Sequence, residues 1–184
     1  PLSVGIYEWK GGAAQLGTYL GVLATEFAVF SDSGLDAAQT LTDLSNAIRA
    51  LHRLDRAAEQ HFSADPRLDG FFQRDDVPKD FMSLPSGDPR FPHPEAGVPG
   101  YQCVVSEQTC NRSYGVNSGL YGNREDIISL FEGIALVMHF LPPDIIVNGL
   151  NLRYEAAAMA HRILQHLRKN SWVVTAPNGE AIPE

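Results

Sequence analysis

The segment Asp126–Leu141 is apolar around almost its whole circumference, and it constrains the fold more than any other part of the chain. A helix of this composition is normally buried, because a surface helix has a polar side. Four polar residues follow spacings of four, three and seven, which place them on one helical face: Glu125, Ser129, Glu132 and His139. A buried helix with one polar face borders a polar cavity, a partner helix or a polar network.

Two interpretations of this polar face stay open. In the first, Glu132 is a buried carboxylate paired with an arginine, and His139 is a core histidine with satisfied hydrogen bonds. In the second, the polar face lines a functional cavity. Either way we expect Glu132 to be mostly buried and hydrogen-bonded, because an unpaired buried charge is costly. Arg74 and Arg124 are the nearest candidate partners.

Composition and charge narrow the class of protein. The 184 residues are 44% hydrophobic and 20% charged, which is typical of a globular chain with a substantial core. The formal net charge is −8 without a clustered basic face, so we expect neither nucleic acid nor a membrane surface as partner. The apolar stretches Leu16–Phe30 and Ile127–Leu141 are shorter than the roughly 20 residues of a membrane span and contain glutamates.

Cysteine usage indicates a secreted, extracellular protein. Cys103 and Cys110 are the only cysteines, and they lie in a stretch rich in Gly, Ser, Asn and Tyr. Because such a stretch has little core, we expect a local disulfide that restricts its unfolded ensemble. Asn111 opens an Asn-Arg-Ser glycosylation sequon, which has a meaning only in a secreted protein.

Hydrophobic periodicity predicts four helices, of which the apolar segment is the third. The first, from about Gly12 to Ser31, places small residues beside a face of large ones, so a neighbouring helix can approach it closely. The second, from about Leu35 to Phe62, is amphipathic, and the fourth runs from Leu152 to Lys169. Ser171–Ile182 then predicts a β-hairpin. The small residues of the first helix are Ala13, Gly17, Gly21, Ala24 and Ala28.

The alternation of these helices predicts their arrangement. Helices one and three have the composition of buried helices and two and four are one-sided, which indicates consecutive αα-hairpins in a double layer. An irregular insert, Ser63–Gly122, separates the hairpins and is far longer than the usual helix connection. The sequence therefore predicts one mainly α-helical domain over residues 1–184, or a piece of a larger one, with a functional insert and a C-terminal β-hairpin.

Five segments carry a resemblance to a known architecture. They are GTYLGVLATEF in helix one, ALHRLDRAAE in helix two, DGFFQRDDVP in the insert, GNREDIISLFEGIALVMHFLP in helix three, and WVVTAPNGEAI after helix four. Together they resemble secreted bacterial α/α-toroid domains, the architecture of many polysaccharide hydrolases and lyases. In those proteins a motif similar to SRDQ opens an inner helix. Here Asn123-Arg124-Glu125-Asp126 keeps the arginine and an acid but differs at the Ser and the Gln, and the resemblance implies architecture and an extracellular setting.

The insert contains a cluster of four carboxylates between Asp69 and Asp80, beside two aromatic residues. Adjacent carboxylates repel each other and persist where a cation, an arginine or a catalytic proton offsets the repulsion. Three alternatives follow. In the first alternative, Asp75, Asp76 and Asp80 bind calcium, although the EF-hand spacing is absent. In the second, Asp75 or Asp76 caps a turn and pairs with an arginine. In the third, the cluster is catalytic. No other cofactor is required.

Glycoside hydrolysis would need one protonated and one ionised carboxyl, roughly 5 Å apart for retention or about 6.5 to 9.5 Å apart for inversion. The candidates for this pair are Glu125, Asp126, Glu132, Asp75 and Asp76. The candidates for substrate binding are Phe71, Phe72, Tyr114, Tyr121, Arg124 and His139. If the insert folds back over helix three, we expect Asp75 or Asp76 within about 10 Å of Glu125.

Two functions from different classes follow. The first is a secreted helical structural or binding domain that is a subunit or fragment of an extracellular assembly. In that assembly, further segments of the same protein or identical subunits cover its apolar helices. The second is a carbohydrate-active α/α-toroid hydrolase or lyase that uses paired carboxylates and has glycans as partners. We prefer the first, because four helices do not close a toroid. We also expect helices one and three to leave apolar surface exposed unless the chain associates.

Overall fold

The fold is mainly helical, as predicted. The structure, a computed structural model, describes residues 11–60, 67–74, 101–105, 110–114, 122–177, 179 and 181–182. In these ranges the helices are α1 (Gly12–Asp32), α2 (Ala38–Gln60), α3 (Arg124–Phe140) and α4 (Leu152–Lys169). The strands are β1 (Tyr101–Val105), β2 (Cys110–Tyr114), β3 (Ile146–Val147) and β4 (Leu150–Asn151). All four helices begin and end close to their predicted boundaries.

Side-chain caps fix the starts of α3 and α4. The Asn123 side chain accepts a hydrogen bond from the Asp126 backbone N–H at 3.1 Å, and the Asp126 carboxylate accepts one from the Asn123 N–H at 3.0 Å. This capping box satisfies N–H groups that have no partner inside the helix. At α4 the Asn151 side chain accepts a hydrogen bond from the Tyr154 N–H at 2.9 Å.

Glycines allow α1 and α3 to pack backbone against backbone. A Cβ added at Gly17 would lie 2.6 Å from the Leu130 nitrogen, and one added at Gly133 would lie 2.8 Å from the Gly17 carbonyl carbon. Real Cβ atoms essentially never come this close to other atoms, so only glycine fits at these two positions. The small-residue face of α1 therefore receives a closely approaching helix, which confirms the prediction.

The contacts between α1 and α3 advance in the same direction along both helices, so the two helices are parallel. The Ala14 N–H donates to the Asp126 carboxylate near the start of each helix, and Gly21 lies against Leu136 further along. α2 packs against α1, and α4 packs against α3. Consecutive helices therefore pack in pairs, whereas the double layer of αα-hairpins stays a prediction.

Side chains from all four helices form one hydrophobic core. Its largest members are at most 2% exposed, and burial of each such side chain contributes about 1.5 to 3 kcal/mol. They include Leu20 from α1, Leu44, Ile48 and Leu51 from α2, Leu130 and Ile134 from α3, and Leu152, Met159 and Ile163 from α4.

The other side of α1 and α3, which we call the outward face, is exposed. Its large apolar residues are between 37% and 57% exposed: Tyr19, Val22 and Val29 of α1 and Leu136 of α3. The expectation that these two helices expose apolar surface is confirmed, whereas association of the chain stays a prediction. By length and composition alone α1 could also cross a membrane or be a signal sequence, but core helices share these properties.

Part of the insert predicted to be irregular forms a β-hairpin. β1 and β2 pair antiparallel, with Cys103 opposite Arg112 and Cys110 opposite Val105, so the two cysteines are not direct cross-strand partners. The structure describes only the backbone pairing of these strands, so the disulfide and glycosylation at Asn111 stay predictions. β3 and β4 form a second hairpin, which the sequence interpretation missed.

A short stretch of the insert, residues 67–74, links all four helices. The Gln73 N–H donates to the Leu54 carbonyl of α2 at 3.0 Å, and the Arg74 carbonyl accepts from the Ala13 N–H of α1 at 2.8 Å. The Phe72 carbonyl accepts from the Gly122 N–H, just before α3, at 2.9 Å. This 67–74 segment therefore holds the start of α3 in place.

The chain after α4 turns back as a short hairpin, in agreement with the prediction. Thr175 pairs antiparallel with Ala181, and the Ile182 N–H donates to the Val174 carbonyl at 2.8 Å. We call residues 174–182 the C-terminal hairpin. It packs against the 67–74 segment through Phe71, which clusters with Ala176 and Ile182.

Candidate functional site

A pocket of about 340 Å³ lies at the start of α3. It is bounded by α3, by the C-terminal end of α4 and by the chain that follows α4. Most of its wall is apolar, and the main contributors are Ile127, Ile128, Phe131, Leu167, Trp172 and Ile182. The volume falls within the range of about 300 to 1,000 Å³ that is usual for small-molecule sites. The pocket is therefore suited to a small, mainly apolar group.

The polar part of the pocket wall comes from the first residues of α3. Asn123 and Arg124 line the pocket there, and Arg124 is exposed. The Asn123 side-chain oxygen is already engaged in the capping box. A guanidinium is permanently charged and carries five N–H donors, so Arg124 supplies a positive charge beside an apolar cavity.

Trp172 forms one side of the pocket in an unusual backbone conformation. Its φ is 67°, and Ser171 before it has a φ of 57°, so two consecutive residues with side chains adopt left-handed backbone. The Trp172 N–H donates to the Leu167 carbonyl at 2.7 Å, which ends α4 and turns the chain back. The indole is 68% exposed. Such conformations cost about 1 to 3 kcal/mol each and occur preferentially at functional sites.

The sequence analysis missed this pocket, although it named Arg124. Trp172 and Ile182 are remote from Arg124 in the sequence, and no periodic pattern connects them. A left-handed Ser171-Trp172 pair has no composition signal either, because glycine or asparagine is the usual residue there.

Asp126, a predicted catalytic carboxylate, is buried behind the pocket and is 1% exposed. Its oxygens accept hydrogen bonds from the Ala14 N–H at 3.2 Å and the Asn123 N–H at 3.0 Å, and the Arg74 Nε lies at 3.5 Å. Burial raises the pKa of Asp126, while these N–H groups and Arg74 oppose the rise. The carboxylate thus joins the starts of α1 and α3 to the 67–74 segment.

The other predicted polar residues of α3 face solvent. Glu125, Glu132 and His139 are all exposed, so the expectation that Glu132 is buried is wrong, and so is the interpretation of His139 as a core histidine. The physical reason is that α3 is covered on only part of its circumference. His139 packs edge-on against Phe140, with ring centroids 4.7 Å apart.

The two phenylalanines predicted to bind substrate are core residues instead. Phe71 and Phe72 are 1% and 2% exposed, so neither presents a ring to a ligand. Phe72 packs under Gly122, where a side chain would overlap its ring. Both rings anchor the 67–74 segment.

Several predicted residues lie outside the described part of the chain. They are Asp75, Asp76, Asp80 and Tyr121, while for Tyr114 only the backbone is described. Calcium binding and the distance from Asp75 or Asp76 to Glu125 therefore stay predictions. Within the described ranges, no group of three or more His, Cys, Asp and Glu residues could hold a metal ion.

A second buried carboxylate, Asp55 of α2, fixes the 67–74 segment. It is fully buried and accepts hydrogen bonds from the Asp69 N–H at 3.1 Å and the Gly70 N–H at 3.2 Å, with the Arg162 Nε at 3.7 Å. Burial raises the pKa of Asp55 to about 7 against the opposing effect of these partners. The sequence contained a signal for it, because Asp55 continues the apolar face of α2 after Ile48.

Comparisons with protein-family models, with curated proteins and with solved structures find no match for this chain. The chemistry of the site therefore rests on its own residues. In the described part of the chain, the pocket wall contains no carboxyl, thiol or imidazole group. Its residues can bind an apolar group and an anion.

Proposed function

We propose that this protein is a helical binding domain, and that the pocket at the start of α3 binds a small ligand with an apolar body and one anionic group. The observation that carries this proposal is the combination of a mainly apolar wall with the Arg124 guanidinium. The wall favours the apolar body by removing it from water, and Arg124 favours a carboxylate, sulfonate or phosphate group through charge-assisted hydrogen bonds.

Recognition suits this pocket better than hydrolysis does. A glycosidase needs two carboxyl groups on opposite sides of the scissile bond. Of the candidates on α3, Asp126 is engaged at the helix starts, and Glu125 and Glu132 are exposed residues that do not belong to the pocket wall.

The same proposal includes an extracellular setting and a larger helical arrangement. The parallel α1–α3 pair, with α2 and α4 on one side, supports a double layer of αα-hairpins of the α/α-toroid type. In such an arrangement the outward face would contact further segments of the same protein or identical subunits. The cysteine pair and the Asn111 sequon support secretion.

A carbohydrate-active protein is the second candidate, and the exposure of Trp172 favours it. An indole that is 68% exposed beside a pocket offers a flat apolar surface on which a sugar ring can stack. A saccharide with a carboxylate would contact both Trp172 and Arg124.

Three ligands with the same octyl chain test the primary proposal. They are octanesulfonate, octanol and octylamine. Trp172 is one of two tryptophans, so a Trp9→Phe background makes its fluorescence a reporter of the pocket. We expect octanesulfonate to bind most tightly and octylamine most weakly, because only the anion pairs with Arg124.

Substitution of the arginine provides the matched control. We expect Arg124→Gln to weaken octanesulfonate binding by about threefold to tenfold and to leave octanol binding unchanged, as for loss of a partly exposed ion pair. Arg56→Gln, at an exposed position of α2 away from the pocket, should change neither. Equal affinity for the three ligands, or a loss of octanol binding in Arg124→Gln, would contradict the proposal. Tighter binding of a uronic-acid oligosaccharide would favour the second candidate.

A further inference from the structure

The α1 part of the outward face contains a stripe of exposed β-branched residues. Spacings of four, three and four place them on one side of the helix: Thr18, Val22, Thr25 and Val29. All four are exposed, and the two valines are 57% and 55% exposed. This is the spacing at which one helix inserts its side chains between those of a second helix. The stripe is therefore suited to a helical partner.

The two threonines of the stripe do not need water to satisfy their hydroxyl groups. The Thr18 hydroxyl donates to the Ala14 carbonyl at 3.3 Å, and the Thr25 hydroxyl donates to the Gly21 carbonyl at 2.8 Å. An apolar neighbour can therefore cover both threonines without leaving a buried hydroxyl unsatisfied.

A row of α3 residues borders this stripe, again with spacings of four, three and four: Glu125, Ser129, Glu132 and Leu136. A Cβ added at Gly17 of α1 would meet the Ser129 backbone. One added at Gly21 would lie 2.9 Å from the Leu136 Cδ1. Both glutamates of the row are exposed, and among the described residues neither has an ion-pair partner. The outward face thus combines an apolar stripe with two negative charges.

The side of α4 that points away from the core has the opposite charge. Its residues follow spacings of three, four, three and four, and we call them the free face of α4: Tyr154, Ala157, His161, Leu164 and Arg168. Tyr154 is 68% exposed and Leu164 is 43% exposed. His161 and Arg168 are exposed as well, and Arg168 has no ion-pair partner within the described ranges. The free face of α4 is therefore apolar with basic groups.

The charges on the two faces have matching separations. Glu125 and Glu132 are seven residues apart, as are His161 and Arg168, and seven residues extend about 10.5 Å along a helix. Two basic groups can thus face two carboxylates whether the helices run in the same or in opposite directions. Within one copy α4 packs against α3 and turns its free face away from the core. The contact between the two faces therefore needs two copies of the chain.

We propose that the outward face of one copy binds the free face of α4 of a second copy. This inference rests on the assembly part of the proposed function and deepens it, because it names an identical subunit and the surface that this subunit contributes. The two contacting faces differ, so the contact is heterologous. Each bound copy keeps one unused face, and copies add until they form a closed ring or an open filament.

One substitution on each face tests this arrangement by light scattering over a concentration series. Val22→Glu adds a charge to the outward face, and Leu164→Glu adds one to the free face of α4. We expect the mass of the unsubstituted protein to rise with concentration beyond that of a dimer, and each variant alone to stay a monomer. An equimolar mixture of the two variants should form dimers and nothing larger, because only one productive contact remains.

Asn46→Glu is the matched control, since it adds the same charge at an exposed position of α2 that belongs to neither face. It should associate as the unsubstituted protein does. A mixture of the two face variants that stays monomeric would overturn the proposal. Dimers of Leu164→Glu alone would also overturn it, because the outward face would then bind a second outward face.

Charge exchange tests the electrostatic part of the contact. One variant carries Glu125→Arg and Glu132→Arg, and another carries His161→Glu and Arg168→Glu. We expect each to weaken association at least about tenfold, because an exposed ion pair contributes up to about fivefold and repulsion replaces it. A protein with all four substitutions should recover the association, since opposite charges meet again. Failure to recover would overturn the charge pairing.

Octanesulfonate binding separates failure of this interface from failure of the proposed pocket. Val22 and Leu164 do not belong to the pocket wall, so we expect both variants to bind octanesulfonate as the unsubstituted protein does, which also shows that they fold. An unsubstituted protein that binds octanesulfonate and stays monomeric at every concentration overturns the interface and leaves the pocket standing. Association with the expected pattern of variants but without octanesulfonate binding overturns the pocket and supports the interface.

Discussion

The contact between α1 and α3 predicts an unusual sensitivity to one methyl group. In Gly133→Ala the added Cβ would lie 2.8 Å from the Gly17 carbonyl carbon, where ordinary contacts begin near 3.4 Å. Both groups belong to helix backbones, so no side chain can rotate away. The helices must therefore separate by about 0.6 Å or more, which loosens the packing along their shared face.

The expected cost follows from two opposing effects. Replacing glycine by alanine inside a helix favours folding by about 1 kcal/mol, whereas overpacking a core contact typically costs about 1 to 3 kcal/mol and sometimes more. Because the overlap here is between the backbones of two helices, we take the upper end of the overpacking cost, about 3 kcal/mol. After the gain of about 1 kcal/mol from alanine, we expect a net destabilisation of about 2 kcal/mol.

Gly21→Ala is the matched control, since its new Cβ would meet the end of the Leu136 side chain at 2.9 Å rather than backbone. Leu136 is partly exposed and can rotate, so we expect the free energy of unfolding of this variant to be within about 1 kcal/mol of that of the unsubstituted protein. Urea unfolding followed by circular dichroism at helical wavelengths gives both free energies. Equal stabilities for Gly133→Ala and Gly21→Ala would refute the account of the α1–α3 contact.

Three other predictions concern single residues. Asp126→Asn should lower the free energy of unfolding by about 1 to 3 kcal/mol, because one carboxylate oxygen that accepts a backbone N–H is lost; unchanged urea unfolding would contradict its structural role. The pKa of Asp55 is raised from 3.8 to about 7. As the pH rises from 4 to 8, the free energy of unfolding should therefore fall by up to about 4 kcal/mol relative to that of Asp55→Asn. Parallel curves of unfolding free energy against pH for the two proteins would contradict this. Cys103 and Cys110 should resist alkylation without reductant, as measured by intact mass, and two alkylated thiols would rule out the disulfide.

The helices were predictable because their signals are local. The apolar periodicity of α1 and α3 and the amphipathic patterns of α2 and α4 indicate where each helix lies. The close approach at Gly17 and Gly133 was also predictable in part, since small residues on one face permit it.

The direction of the polar face of α3 was not predictable from periodicity. Spacing shows that Glu125, Glu132 and His139 share a face, but which face is covered depends on where α1 and α4 pack. Those contacts join residues more than a hundred positions apart, as between Ala14 and Asp126. The assumption that an apolar helix is buried on all sides led to the wrong expectation for Glu132.

The candidate site was predictable only at Arg124. Its other wall depends on the left-handed backbone at Ser171 and Trp172 and on the packing of Phe71 against the C-terminal hairpin. The sequence interpretation assigned Phe71 to substrate binding because an aromatic residue beside carboxylates suggests sugar stacking. Burial against Ala176 gives it a structural role instead.

The most direct test of the central claim is the mapping of octanesulfonate binding by backbone amide chemical shifts. The account predicts saturable shifts at Asn123–Phe131, at Leu167 and at Trp172–Val174, with the Trp172 indole N–H among the largest, and it predicts that Arg124→Gln weakens the titration. Two results would contradict the claim that the pocket at the start of α3 is the binding site. One is a set of shifts confined to the outward face, at Tyr19, Val22 and Leu136. The other is a set of scattered shifts that do not saturate.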